Sequence, residues 1–121
     1  MGEKDRIYHN KLVRDKVPEK IASHGDAFAV RPTASNEEFI QELRKKIVEE
    51  AYEVAHAHSR EEFIEEYTDL QCVLDTLIQS HNITETELDE AKQKSVDKKG
   101  GFKEQLFLMW SDAVPKDHYW K

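Results

Sequence analysis

The stretch EEAYEVAHAHSREEFIEEYTD, residues 49 to 69, decides the fold, because it carries the end of one charged amphipathic helix into the start of another. Projected at about 100° per residue, the helix leading into it sets Leu43, Ile47 and Val54 on one apolar stripe, with Phe39 and Ile40 at its borders. Glu50 falls inside that stripe and Glu53 lies on its edge. The helix leading out repeats the arrangement: Phe63, Tyr67, Leu70, Val73, Leu74 and Leu77 make the stripe, with Glu66 inside it and Asp69 on its edge. The loop between them is only His58 to Arg60, and so short a connection predicts antiparallel neighbours. In such a hairpin, residues whose numbers share a sum stand at equal height, which sets Glu50 opposite Asp69 and Glu53 opposite Glu66.

A buried carboxylate costs on the order of several kcal/mol unless it is paired or bound to metal. Neither stripe contains a basic residue. Two mirrored i, i+3 pairs on facing apolar surfaces therefore call for a hard divalent cation held by oxygens, and Mg²⁺ suits best, since it keeps positions open for water and phosphate. A single Glu in a chain with 36% charged residues is ordinarily a solvated surface group. A matched set of four is not.

Three helix starts share one signature, a Ser or Thr with Glu three residues on, so that hydroxyl and carboxylate can satisfy each other's backbone donors. They are Ser35 with Glu38, Ser59 with Glu62, and Thr84 with Glu87, and they predict helices over about 36 to 57, 60 to 81 and 85 to 98. Gly100 and Gly101 end the third. Pro18 and Gly25 frame a short helix of about two turns. AFAVR (27 to 31) and QLFLMW (105 to 110) look extended and predict a small two-stranded ribbon laid on the helices. The fold class is thus all-α: an antiparallel hairpin plus a third helix, a four-helix-bundle-like core completed by oligomerisation, and a minor β element.

The 121 residues are the length of one domain. A net charge of −7 disfavours nucleic acid as a partner. No apolar run approaches the roughly 20 residues that cross a bilayer, and the N-terminus MGEKDRIYHN is charged where a signal peptide is apolar. The expectation is a cytoplasmic protein with no membrane association. Cys72 is the one cysteine, which excludes an internal disulfide and a multi-cysteine zinc site. The histidines at 9, 24, 56, 58, 81 and 118 lack metal-ligand spacing with a third partner and read as exposed loop residues. Tyr8, Trp110, Tyr119 and Trp120 could stack a base but more often such residues cover a core or an interface.

EEAYE at 49 to 53 followed by EYTD at 66 to 69 resembles the EExxE…ExxD pattern of the MazG-like all-α nucleoside triphosphate pyrophosphohydrolases. KKGGF at 98 to 102 resembles the segment after that family's third helix, and NKLVRDKVP at 10 to 18 the N-terminal segment of a single-domain subgroup. The resemblance implies a homodimer or homotetramer that binds Mg²⁺, with Mn²⁺ as a substitute, and cleaves a nucleoside triphosphate to monophosphate and pyrophosphate, non-canonical and deoxy nucleotides included. It makes Glu50, Glu53, Glu66 and Asp69 metal ligands and Glu49 a further acidic residue that helps with metal or positions and deprotonates the attacking water. Where the family often has Arg before the two glycines this chain has Lys99, which supplies charge without a bidentate fork. A polyanionic substrate also needs basic side chains. Lys94 and Lys98, four apart on the third helix, and Lys11, Arg14 and Lys16 in the N-terminal segment are the candidates, although Lys94 and Lys98 equally complement the helix dipole. Two other readings use the same residues: phosphoribosyl-ATP pyrophosphohydrolase, which performs the same bond cleavage, and a non-enzymatic helical module with a structural metal. The N-terminal segment and the extra strand argue against the former.

Overall fold

The computed structural model describes residues 5–112, and its regular elements are four helices: α1 Val17–Ser23, α2 Asn36–Ala55, α3 Arg60–Ser80 and α4 Glu85–Lys99. The chain divides into two compact units, one ending at His81 and the other beginning at Asn82.

In the first unit α2 and α3 pack on each other across the turn at 56–59. Their starts follow from the serines: Ser35 Oγ accepts from Glu38 N and Ser59 Oγ from Glu62 N, each at 3.1 Å. The reciprocal half of the cap, expected at both serines, forms at neither. Glu38 turns its carboxylate to Ala34 N at 2.7 Å and to the Arg31 guanidinium at 2.9 and 3.0 Å. The Arg31 hydrogen bond, and then that from Ala34 N, hold the Glu38 carboxyl down at about 2.

The helix ends are set by histidines. His24, His56 and His81 are the C-cap residues of α1, α2 and α3, and each Nδ1 lies 2.7 to 2.9 Å from the carbonyl four residues back, at Lys20, Tyr52 and Leu77. A carbonyl only accepts, so each Nδ1 carries the proton and adds a second hydrogen bond to a carbonyl that already accepts the same histidine's backbone N–H. They are exposed, as expected, but structural rather than idle.

Leu43 alone is buried among the described residues, at 3% exposure. Phe39, Ile40, Ile47 and Val54 of α2 and Leu70, Val73 and Leu77 of α3 are half-buried. Phe63, Tyr67 and Leu74, predicted for the same α3 stripe, remain exposed, as do Val48 and Tyr52 on α2.

In the second unit α4 has a complete reciprocal cap, with Thr84 N donating to Glu87 Oε2 at 2.8 Å and Glu87 N to Thr84 Oγ1 at 3.1 Å. It stops at Gly100, whose φ of 77° and ψ of −171° are open to Gly and costly for any other residue.

The expected β ribbon is absent. Residues 27 to 31 and 105 to 110 have no strand structure, and Phe28, Val30, Leu106, Phe107, Leu108, Met109 and Trp110 all stay exposed. Strand propensity in five or six residues does not suffice, because a two-stranded ribbon is marginal without a sheet or a packed face beneath it.

Candidate metal and phosphate site

The hairpin brings the carboxylates of α2 and α3 together. Glu50, Glu66 and Asp69 each offer one oxygen, and these oxygens all lie within 4.8 Å of one another. The three residues are half-buried. Glu53 is exposed and stands outside that set, although its charge is felt at both Glu50 and Glu66. Burial, and then repulsion from the neighbouring acids, push the Glu50 and Glu66 carboxyls above their ordinary range. Three hard oxygens short of positive charge suit a cation bound at about 2.1 Å, which small rotations would let them reach. The donor set therefore fits Mg²⁺ or Mn²⁺.

The sequence reading left the stripes without a cation, but Lys46 of α2 is largely buried beside them, where its charge acts on Glu50, and two more cations arrive from the N-terminal segment. Lys11 Nζ pairs with Glu49 Oε1 at 2.8 Å, Lys46 Nζ lies 3.2 Å from Glu49 Oε2, and Arg14 Nη1 pairs with Asp69 Oδ1 at 3.0 Å. Glu49 is thus gripped by two lysines, first by the Lys11 hydrogen bond, and its carboxyl is held below the usual range. It lies beside the converging acids and not among them. Lys46 was missed by the sequence reading, although its position three before Glu49 on one helix was the available signal. The contacts of Lys11 and Arg14 had no such signal, because their partners are 38 and 55 residues away.

Lys16 caps the start of α1 with an exposed side chain. Lys94 and Lys98 are exposed on α4, in the second unit. Tyr8 and Trp110 are exposed, while His118, Tyr119 and Trp120 lie outside the described residues. Cys72 is free and half-buried. Among the described residues no helix is long and apolar enough to cross a membrane.

An all-α hairpin with converging carboxylates, edged by lysine and arginine, indicates a hydrolase of phosphoric anhydrides. The sequence model of the phosphoribosyl-ATP pyrophosphohydrolase family matches residues 25–95, more than half of the chain, and the chain belongs to that family. It is a pyrophosphohydrolase, within the MazG-like all-α superfamily that the motifs resemble. No curated protein and no solved structure matches it. Family membership in an enzyme class sets aside the non-enzymatic module.

Proposed function

We propose that the chain hydrolyses a nucleoside triphosphate, in the presence of Mg²⁺, to the monophosphate and pyrophosphate, with residues 1–121 acting as a single domain. The observation that carries this reading is the convergence of Glu50, Glu66 and Asp69 from two helices inside the region matched by the family. Glu50, Glu53, Glu66 and Asp69 hold the cation, Glu53 after a rotamer change that turns it inward. Bound there, Mg²⁺ would polarise phosphate oxygens, activate water and neutralise the leaving pyrophosphate.

The rest falls to side chains. Glu49 orients the attacking water and receives its proton, and its two lysine partners favour orientation, since a carboxyl held low is a weaker base. Lys11, Arg14 and Lys16 supply charge to the phosphate chain. A homodimer or homotetramer would cover Phe63, Tyr67 and Leu74, which one hairpin leaves exposed.

A second reading, phosphoribosyl-ATP as substrate, is favoured by the family match itself. Of the two features that speak against it, the extra strand is not formed, while the N-terminal segment lies outside the matched residues. The deciding experiment is a panel of canonical, non-canonical and deoxy nucleoside triphosphates together with phosphoribosyl-ATP, run with Mg²⁺ and Mn²⁺ and read as pyrophosphate release. Turnover of phosphoribosyl-ATP well above every triphosphate would replace the first reading by the second.

A further inference from the structure

Residues 11 to 14 lie across the hairpin, with Lys11 on Glu49 of α2 and Arg14 on Asp69 of α3. Between them Leu12 and Val13 are half-buried, so the backbone is anchored while both basic ends reach the acidic edge. The Arg14 contact is a single bond from Nη1 to Oδ1, with the side chain 64% exposed. Among the described residues the rest of its fork has no hydrogen-bond partner, although guanidinium suits bidentate recognition.

Around this point the carboxylates Glu49, Glu50, Glu53, Glu65, Glu66 and Asp69 outnumber the cations Lys11, Arg14 and Lys46 by three, so the cluster stays short of positive charge. Asp69 is also one of the three converging carboxylates, so Arg14 sits on a side chain the ion needs. Exposed ion pairs contribute little and exchange readily, which makes Arg14 displaceable.

We propose that this segment is an electrostatic strap: Arg14 competes with the divalent cation for Asp69 and, once displaced, turns its guanidinium to the substrate's phosphates. The strap rests on the metal reading above and adds to it a competition that no arrangement of ligands requires. Before metal binds, Arg14 limits repulsion among the acids. Afterwards it and Lys11 are the positive charges free to move, at the place where a polyanion must enter. Metal and nucleotide then bind cooperatively, because each favours the displaced position of Arg14.

The test measures Mn²⁺ alone by calorimetry on the full chain, at low and high salt, with turnover measured in parallel. Arg14→Gln should bind Mn²⁺ about 3- to 10-fold more tightly than wild type at low salt, with the advantage shrinking as salt rises, and its KM for the hydrolysed nucleotide should rise about ten-fold with a smaller change in kcat. Arg14→Lys, which keeps the charge, should retain wild-type Mn²⁺ affinity, and Lys20→Gln, a like charge change on exposed α1, should alter it less than about two-fold. Circular dichroism melts show that each variant is folded. Unchanged or weaker Mn²⁺ binding in Arg14→Gln, beside normal saturable binding in wild type, overturns the strap and leaves the metal site standing. Equal tightening in Arg14→Lys overturns it too, as a loosening effect. No Mn²⁺ binding by wild type overturns the strap together with the site reading.

Discussion

The α2–α3 hairpin and α4 are both helical, but different forces make them so. Every residue of α4 is exposed, and what defines the helix lies within a turn or so of sequence: the Thr84–Glu87 cap, the Gln93 to Asp97 hydrogen bond at 2.9 Å, Lys98 and Lys99 in the last turn, and Gly100. The hairpin has local caps as well, yet its burial centres on Leu43 and its chemistry on groups separated by tens of residues. One region is a helix by local sequence; the other is a site by tertiary contact. The half-buried acids of the hairpin also repel one another.

The most severe test of that contrast is Glu50→Gln. Turnover should fall to background, whereas the Tm of the metal-free protein should hold or rise, since a repelled, partly buried charge is removed. Mg²⁺ should raise the Tm of wild type and not of the variant. A variant that still turns over would remove Glu50 from the site.

Glu49→Ala probes the group beside the acids. If Glu49 acts on water, kcat should fall about 10²-fold or more with little change in Mg²⁺ affinity by calorimetry. Equal losses in both would make it a ligand, and no loss in either would return it to a salt-bridged surface position.

Leu43→Ala attacks the packing directly. A denaturant melt should show a loss of about 2 kcal/mol or more, because the one buried side chain among the described residues is truncated. A loss below about 1 kcal/mol, within the range of surface changes, would mean that the hairpin does not depend on this contact.

Thr84→Ala is the counterpart for local structure. It should cost about 1 kcal/mol and raise amide exchange over residues 85–90 while leaving α2 and α3 protected. Equal loss of protection in both regions would break the contrast and show a single cooperative unit.

Much of this protein was legible in its sequence. Ser35, Ser59, Thr84, Pro18 and Gly100 mark helix boundaries within about two residues, because capping acts between groups three or four positions apart. The short turn made α2 and α3 neighbours, and their facing stripes brought Glu50, Glu66 and Asp69 within reach of one ion. The histidine caps were hidden in plain view, since a ring nitrogen can serve a carbonyl four residues back as well as a metal.

Only tertiary structure decided the rest. Strand-like composition at 27 to 31 and 105 to 110 formed no ribbon, because a strand exists through a partner that short-range sequence does not supply. Glu53 and Asp69 were both read on the edge of a stripe, yet Asp69 is half-buried in the converging set and Glu53 stays exposed outside it, for helix rotation and rotamer separate residues that a projection treats alike. The cations for Glu49 and Asp69 came from residues 11 and 14, and that depended on where the chain lies after folding. Spacing governs what happens within a helical turn, while charge pairing over 38 and 55 residues is set by the path of the backbone.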